Sequence, residues 1–424
     1  MDLIKKIIQT DLFKISTLNS LSVVLKIGTS LITSKLLAVF VGPSGMGLLG
    51  NLRNFISSLE GISTLGFQGG IVKYIGESEH NKKELEKTIT TVLLSFLLLA
   101  SFLSLFIFIF SDYFCNKFLE NNLQYSNVFR LVAIVLPWNV ISILFVSILN
   151  GLGEFKKVIL VNIIANILSV LLSAVLVYNF KIIGAFIATI IVPIISVFSS
   201  FFWLPKEIEI FKRFNFIDFD FRIFKNLISF SLMILPPTIL SPYIYLQIRN
   251  YLIINVGLNQ SGFWEGMSRI STLYLMFVGT IVSVYFYPKL IKSNNVAEVK
   301  KVIWSYYKFI LPLFIFGAML VYFLRFLIIK LIFTEEFLPV SELFFWQLIG
   351  DVFKVCGLIL GFLLMSQKRV LHFIVIEVSA LLFLYFASLL FIKNYGVEGV
   401  VMGQALENVL YFVVLGIYFR KYLL

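Results

Sequence analysis

The chain has 424 residues, of which 59% are hydrophobic and only 14% charged, and its mean hydropathy is +0.96. This composition excludes a soluble globular protein and predicts a polytopic membrane protein. The formal net charge of +12 does not indicate nucleic-acid binding, because the 35 basic residues are spread over separate connectors and form no single patch.

The chain is predicted to be all-α, with about twelve transmembrane helices. Apolar stretches of about 20 residues are long enough to cross the hydrocarbon core, and turn-forming residues separate them. The first stretch is predicted to be a retained helix, since no small-residue cleavage site follows a short apolar core. The predicted spans cover residues 15–40, 46–74, 88–110, 127–149, 158–178, 182–204, 226–254, 262–288, 305–332, 340–365, 370–392 and 398–419.

The predicted spans form two six-helix lobes, residues 1–204 and 226–424, joined by a cytoplasmic linker over 205–225. When Lys and Arg are assigned to alternating sides of the membrane, one side holds 23 of them and the other side five. Cytoplasmic connectors of membrane proteins carry the excess of basic residues. Both termini are therefore predicted to be cytoplasmic.

A short internal repeat supports this division into lobes. Val41-Gly42 precedes a helix that carries Arg53, and Val256-Gly257 precedes a helix that carries Arg269. With six helices each, the two lobes have the same orientation, as in transporters whose parallel repeats are related by an axis along the membrane normal.

Ionisable side chains inside the predicted spans are the best candidates for function, because charge in lipid is costly and usually lines a wet pathway. The cations are Lys26, Lys35, Arg53, Arg249, Arg269, Arg325 and Lys354, and the anions are Glu60, Glu265, Asp351, Glu377 and Glu407. Structural alternatives exist for several of them. Lys35, Arg249 and Arg325 lie near predicted helix ends and could snorkel to the interface. The pairs that could neutralise themselves on one helix are Glu265 with Arg269 and Asp351 with Lys354.

Lys26 lies near the middle of the first span with only Ser and Thr as polar neighbours, so it needs water or a partner. Arg53, Ser57 and Glu60 share one face of the second predicted helix and could face Lys26. A similar stripe on the tenth predicted helix consists of Gln347, Asp351 and Lys354. The stripes predict a hydrated, net cationic cleft between the lobes, suited to an anion. Arginine suits phosphate in particular, because its planar fork donates two parallel hydrogen bonds.

The predicted substrate-binding residues of this cleft are Lys26, Arg53, Arg249, Arg269 and Lys354. Its carboxylates are predicted to bind a coupling proton or sodium ion or to be structural, and they are Glu60, Glu265, Asp351, Glu377 and Glu407. No catalytic, cofactor or metal site is predicted, because the two cysteines and two histidines do not stand at ligand spacing. Prolines predict kinks at Pro236-Pro237, Pro242 and Pro312.

Several short segments also resemble a known family. They are KIG at 26–28, KLLAV at 35–39, GP at 42–43 and Arg53 in the first half, and WEGMSRIS at 264–271, FWQLIGDVFKV at 345–355 and EVS at 377–379 in the second. On these segments the chain resembles the Wzx-type flippases of lipid-linked oligosaccharides, in the polysaccharide-transporter branch of the multidrug/oligosaccharidyl-lipid/polysaccharide exporter superfamily. Within that branch it is most similar to the lipid III flippases of enterobacterial common antigen synthesis.

The resemblance implies a V-shaped, two-lobed, twelve-helix protein of the bacterial inner membrane. Such a protein moves an undecaprenyl pyrophosphate-linked repeat unit, of the O-antigen or enterobacterial common antigen type, to the periplasmic leaflet by alternating access. It makes and breaks no bond and needs no cofactor. Its implied partners are this lipid-linked oligosaccharide and membrane lipid, with a polysaccharide polymerase and a chain-length regulator as candidates and H+ or Na+ as candidate coupling ions.

Three other functions stay open on sequence grounds. A flippase for lipid II, the peptidoglycan precursor, would handle the same lipid carrier and pyrophosphate. A cation-coupled multidrug exporter should have carboxylates in its N-terminal lobe, where this chain offers Lys26 and Arg53 against Glu60. A membrane polymerase or ligase needs an outward acidic pair or a sizeable outward loop, and the largest predicted outward connector, 111–126, has only Asp112 and Glu120.

Overall fold

The computed structural model describes residues 11–78, 81–119, 123–204, 219–293 and 295–423. Of the predicted linker 205–225, residues 205–218 lie outside this range. Helices account for all of the regular structure in the described part of the chain, apart from short 3₁₀ and π turns. In chain order they are α1 Asp11–Phe40, α2 Gly42–Ser63, α3 Gln68–Glu77, α4 Lys82–Ile109, α5 Ser111–Phe118, α6 Ser126–Gly151, α7 Phe155–Phe201, α8 Phe221–Ser231, α9 Leu235–Asn255, α10 Leu258–Ile281, α11 Tyr287–Lys292, α12 Val296–Phe323, α13 Arg325–Ile332, α14 Val340–Ser366, α15 Val370–Tyr395, α16 Val397–Tyr418 and α17 Arg420–Leu423.

The prediction of an all-α polytopic membrane fold is confirmed. Within the described residues, nine helical stretches are long and apolar enough to cross a membrane. One of them, the 47-residue α7, contains two predicted spans, because Lys181 (φ 48°, ψ −123°) turns the chain between its halves. The other two predicted spans, 46–74 and 226–254, are each built from two helices, α2 with α3 and α8 with α9.

These two spans break for identifiable reasons. Between α2 and α3, Leu65 and Gly66 have φ values of 50° and 63°, a left-handed conformation that ends a helix and that glycine adopts without strain. At Pro236-Pro237, where a kink is predicted, a new helix begins instead. Both prolines lie in the first turn of α9, where a missing N–H costs no helical hydrogen bond. Pro242 and Pro312 lie inside α9 and α12, as predicted.

The chain clusters into two compact units. Unit 1 contains the chain up to Thr33 and residues Ile56–Ile239, and unit 2 contains Ser34–Phe55 and Leu240–Leu424. The last residues of α1 and the first half of α2 therefore belong to unit 2. The lobe boundaries 1–204 and 226–424 and the cytoplasmic position of both termini stay predictions.

In unit 1, α6 packs against α3, α4 and α7. Aromatic rings fill part of this core, where Phe67 lies 6.1 Å from Phe96 and 5.9 Å from Phe224. Asp220 caps α8 by accepting from the backbone of Arg222 at 2.8 Å, and its own N–H donates to the Thr91 hydroxyl of α4 at 3.0 Å. The start of α8 is thereby fixed to the N-terminal helices of unit 1.

In unit 2, α14 is the central helix and packs against α10, α12 and α16. Small residues allow the close approach, since a Cβ atom on Gly350 would lie 2.9 Å from the α-carbon of Ala405. The Tyr306 and Tyr307 hydroxyls of α12 donate to the carbonyl oxygens of Val355 and Cys356 at 2.8 and 2.9 Å. Backbone polar groups of α14 thus have partners away from water.

The first turns of α2 and α10 cross in contact, also within unit 2. A Cβ atom on Gly262 would lie 1.8 Å from the carbonyl oxygen of Pro43, and one on Gly47 would lie 3.0 Å from that of Leu258. Arg53 and Arg269 each follow the first residue of their helix by eleven positions, 42 to 53 and 258 to 269. The crossing therefore brings the two arginines of the predicted repeat to the same level.

Replacement of Gly262 by alanine is expected to destabilise the protein by about 1–3 kcal/mol, the usual cost of overpacking, because the new methyl group meets a backbone oxygen that cannot rotate away. Thermal unfolding in detergent micelles would measure the loss. Gly279→Ala on the same helix is the matched control, since no atom of the described structure lies within 4 Å of its added Cβ. Equal melting temperatures for the two variants would contradict the close crossing of α2 and α10.

Candidate anion-binding site

Three arginines from three helices converge on the carboxylate of Glu265 in α10. Arg53 of α2 donates from Nη1 to Oε1 at 2.8 Å, and Arg269 of α10 donates from Nε to the same oxygen at 3.0 Å. Arg249 of α9 donates from Nη2 to Oε2 at 3.0 Å. The structure thus forms the pair that the four-residue spacing of Glu265 and Arg269 permits, and it adds two more guanidinium groups.

A glycine makes room for this cluster on α2. A Cβ atom on Gly50 would lie 2.5 Å from the guanidinium carbon of Arg249 and 2.7 Å from Oε2 of Glu265. Residue 50 must therefore lack a side chain so that the ion pair of Arg249 and Glu265 can pack against α2. One residue further along, Asn51 donates from Nδ2 to Oδ1 of Asn250 at 3.0 Å and joins α2 to α9.

Arg249 is held inside the protein. Its side chain is only 3% exposed, and its guanidinium lies 4.5 Å from the centre of the Trp264 ring, close enough for a cation–π interaction. It also donates to the carbonyl oxygen of Ser261 at 3.1 Å. The alternative that Arg249 snorkels from a helix end is therefore wrong, because Glu265 and Trp264 of α10 hold its guanidinium inside the protein.

Arg53 differs from Arg249 in its accessibility. The Arg53 side chain is 49% exposed although it contacts Glu265, whose side chain is only 6% exposed. The Arg269 side chain is intermediate, with 12% of its surface exposed. Its Nη1 also donates to the Ser34 hydroxyl at 3.4 Å. One carboxylate faces three guanidinium groups, so the cluster keeps a positive excess that Arg53 presents outward.

A second polar cluster of unit 2 surrounds Asp351 of α14. Asp351 accepts from the Ser271 hydroxyl at 2.7 Å and from Gln347 Nε2 at 3.1 Å, and also from the Tyr274 hydroxyl. The alternative that Asp351 pairs directly with Lys354 is wrong. Neutral donors occupy the carboxylate, while Lys354 has an exposed side chain that interacts with Asp351 only at longer range.

Two further carboxylates lie within electrostatic range of Lys354. Glu377 of α15 accepts from the Tyr411 hydroxyl of α16 at 2.6 Å. Glu407 of α16 interacts with Lys354 and Glu377 through charge and accepts no hydrogen bond from the described part of the chain. No three His, Cys, Asp or Glu side chains of the described residues are grouped closely enough to hold a metal ion.

The sequence interpretation missed the hydroxyl groups that hold these carboxylates. Tyr274 and Tyr411 lie in apolar spans, although a buried tyrosine hydroxyl usually needs a partner. For Tyr274 a signal is present, since Ser271 lies three residues earlier on the same face of α10. For Tyr411 the partner, Glu377, belongs to a different helix, so spacing along α16 does not identify it.

Other predicted site residues lie elsewhere. Lys26 belongs to unit 1 and is exposed, and Glu60 belongs to unit 1 and lies near the Asn139 side chain of α6. The predicted polar face of the second span is therefore divided, because Arg53 is part of unit 2. Lys35 caps the C-terminal end of α13 by donating to the carbonyl oxygens of Lys330 and Phe333 at 3.0 and 2.5 Å.

Comparison with known proteins agrees with this description. The family described as "Polysaccharide biosynthesis protein" matches residues 12–293. The lipid III flippase of Escherichia coli (strain K12) is 27% identical over 401 residues, which cover 95% of this chain and 96% of that protein. A putative O-antigen transporter of Shigella flexneri is 23% identical over 270 residues, 62% of this chain and 63% of that protein.

Solved structures show the fold. An inward-facing multidrug resistance transporter of the MATE family, in the MOP superfamily, superposes with a TM-score of 0.80 at 13% identity, covering 93% of this chain and 94% of its own. The lipid II flippase MurJ in an inward closed conformation gives a TM-score of 0.76 at 17% identity, covering 97% and 89%. The fold is therefore that of the MOP superfamily, and the chain is a multi-pass protein of the bacterial inner membrane.

Proposed function

The chain belongs to the polysaccharide biosynthesis protein family, and we propose that it is a flippase for an undecaprenyl pyrophosphate-linked oligosaccharide. The repeat unit, of the O-antigen or enterobacterial common antigen type, passes from the cytoplasmic to the periplasmic leaflet. Two lobes, residues 1–204 and 226–424, alternate the access to the site, and both termini are cytoplasmic. No bond is made or broken, and a polysaccharide polymerase and a chain-length regulator are candidate partners.

The observation that carries this proposal is the cationic excess of the cluster around Glu265 in unit 2, where three arginines face one carboxylate on helices of the predicted spans. A charge in this position is costly unless it has a ligand or a partner. Arg53 and Lys354 both have exposed side chains within helices that otherwise bury apolar residues. Fixed positive charges lower the cost of bringing a pyrophosphate through the low-dielectric centre of the membrane.

Within this site the five predicted cations have different roles. Arg53 and Lys354 contact the phosphates in unit 2, since their side chains are exposed, and Lys26 contributes from unit 1. Arg249 and Arg269 do not contact the phosphates and act indirectly, by holding Glu265 in place. Their guanidinium groups keep that carboxylate occupied, and Arg53 can then exchange it for a phosphate oxygen, which it binds through two parallel hydrogen bonds.

The predicted carboxylates also have two different roles, structural or ion-binding. Glu265 and Asp351 are each bound by three donors in the described structure and are therefore structural. Glu377, with one donor among the described residues, and Glu407, with none there, are the candidate sites for a coupling H+ or Na+ in unit 2. Glu60, which lies near Asn139, is the candidate of unit 1.

Reconstitution into liposomes tests the proposal directly. A short-chain lipid pyrophosphate oligosaccharide is placed in one leaflet, and its appearance in the other is followed, without a gradient and with an imposed H+ or Na+ gradient. We expect transfer above that of empty liposomes, accelerated by the gradient of the coupling ion. Lipid II and a cationic dye serve as alternative substrates. Transfer of only one of these would assign the chain to peptidoglycan-precursor or drug transport, and incorporation of label into polymer would indicate an enzyme.

A further inference from the structure

Helix α8 of unit 1 has one exposed polar face and one buried face. Four exposed polar residues recur at helical spacing and form a single stripe along the helix, namely Arg222, Lys225, Asn226 and Ser229. Leu227 lies on the opposite side of the helix and is fully buried. Within the described residues, the side chains of Arg222 and Lys225 take part in no ion pair or hydrogen bond. The polar face of α8 therefore carries two cations that no carboxylate of the described structure neutralises.

The start of α8 lies at the level where α4 enters the hydrocarbon. The backbone N–H of Asp220 donates to the Thr91 hydroxyl of α4 at 3.0 Å. Thr91 lies one helical turn past Lys87, and Lys82 and Lys83 precede it at the exposed end of the same helix. No charged residue follows Lys87 on α4. Lysines at the end of an apolar helix lie at the level of the lipid headgroups, so α8 begins about one turn inside that level.

The chain gains little depth along α8. A Cβ atom on Gly66 would lie 3.5 Å from the α-carbon of Leu235, the first residue of the next helix. The ring of the neighbouring Phe67 lies 6.1 Å from that of Phe96 on α4, which is only five residues, or about 7.5 Å, past Thr91. The 11 residues of α8 alone would climb about 16 Å if the helix ran parallel to α4. The axis of α8 is therefore strongly inclined to the direction in which α4 crosses the membrane.

We propose that α8 lies in the plane of the membrane at its cytoplasmic surface, where Arg222 and Lys225 bind the phosphate groups of anionic phospholipid. An amphipathic helix with basic residues on its polar face takes this position, and two exposed cations cannot face hydrocarbon without a high cost. The distribution of basic residues predicts that this surface is cytoplasmic, and the cytoplasmic leaflet carries anionic lipid. With 21 residues, α9 is long enough to cross the membrane without α8. The inference does not depend on the proposed function.

Spin labels test the position of α8 on the full chain in liposomes of phosphatidylethanolamine and phosphatidylglycerol. Cys115 and Cys356 are replaced by serine, and a nitroxide is attached to a single cysteine at position 222, 226 or 229. Collisions with oxygen and with a water-soluble nickel chelate measure its depth. We expect the three depths to agree within about 5 Å, less than the seven residues would span along a crossing helix. Labels at the exposed positions 98, 102 and 105 of α4 are the matched control, since their depth should change by about 1.5 Å per residue.

Photocrosslinking from the polar face tests the lipid partner. Benzoylphenylalanine is placed at position 226, and its crosslinks to phosphatidylglycerol and to phosphatidylcholine are counted in liposomes that contain equal amounts of both. We expect phosphatidylglycerol to be preferred at least fivefold, the effect of one basic residue near an anionic surface. The double variant Arg222→Glu with Lys225→Glu should abolish this preference. The matched control is Arg420→Glu with Lys421→Glu, which reverses two exposed cations of α17 and should leave the preference unchanged.

Each other outcome overturns a stated part of the proposal. A steady change of depth from position 222 to 229, as in α4, would show that α8 crosses the membrane. Equal crosslinking of the two lipids would show that the polar face does not select anionic headgroups. Crosslinks to the protein itself, with labels that neither reagent reaches, would show that another part of the chain covers this face. None of these measurements requires flipping, so they stand whether or not the proposed function is correct.

Discussion

Replacing Glu265 by glutamine is expected to destabilise the protein by about 3–5 kcal/mol, the range for breaking a buried ion pair on one side. The carboxylate is the common partner of Arg53, Arg249 and Arg269. Without its charge, the deeply buried Arg249 keeps a positive charge with only Trp264 and Ser261 beside it in the described structure. Most of the loss should come from Arg249, since the half-exposed Arg53 is screened by solvent.

Unfolding of Glu265→Gln by heat and by urea in detergent micelles would measure this loss. Glu342→Gln is the control, because Glu342 is an exposed carboxylate in the first turn of α14. A double variant, Glu265→Gln with Arg249→Met, should recover part of the stability by removing the uncompensated charge. If Glu265→Gln melts at the same temperature as Glu342→Gln, the carboxylate does not hold the arginines together.

Replacing Arg53 by alanine is expected to slow flipping about 10- to 100-fold, the effect of losing a hydrogen bond to a charged group. The melting temperature should change little, because a half-exposed ion pair contributes no more than about 1 kcal/mol. Arg53→Lys should give an intermediate rate, since an ammonium group keeps the charge but cannot donate two parallel hydrogen bonds. The liposome assay with a short-chain lipid pyrophosphate would measure the rates.

Arg130→Ala is the matched control for this experiment. The Arg130 side chain is 45% exposed and lies 3.8 Å from the Asp112 carboxylate, so its accessibility and pairing resemble those of Arg53. It lies at the start of α6, outside both polar clusters of unit 2. Equal transport by Arg53→Ala and Arg130→Ala would show that Arg53 does not contact the substrate. A large loss of stability in Arg53→Ala would make its role structural.

Whether the sequence predicts a contact in this protein depends on how far apart the two residues lie along the chain. Charge inside an apolar span is enough to identify Arg53, Glu265 and Arg269 as candidates, and the spacing of Glu265 and Arg269 on one helix permits their pairing. The contact between Arg53 and Glu265 joins residues 212 positions apart and follows no local pattern. It depends on the crossing of α2 and α10, which two glycines permit and which spacing along the chain does not encode.

Two structural alternatives that the sequence left open fail because of contacts with other helices. For Arg249, proximity to a helix end left the interface open as an alternative, but contacts with Glu265 and Trp264 of α10 bury it. For Asp351, the three-residue spacing to Lys354 suggested an ion pair, but the hydroxyls of Ser271 and Tyr274 occupy the carboxylate instead. In both cases the deciding group belongs to another helix, so a single amphipathic pattern could not identify it.

The distance along the chain between Arg53 and Glu265 also has a consequence for membrane insertion. The ribosome makes the intervening 212 residues in about 10–40 s, at roughly 5–20 residues per second. Until α10 emerges, α2 has a charged side chain without its carboxylate, and the helix is not apolar enough to rank among the nine candidate spans of the described chain. Arg249 precedes Glu265 by only 16 residues, so α9 and α10 can enter the bilayer as a hairpin in which Glu265 already pairs with Arg249 and Arg269. In contrast, α2 must be retained by earlier helices or at the interface until that hairpin arrives.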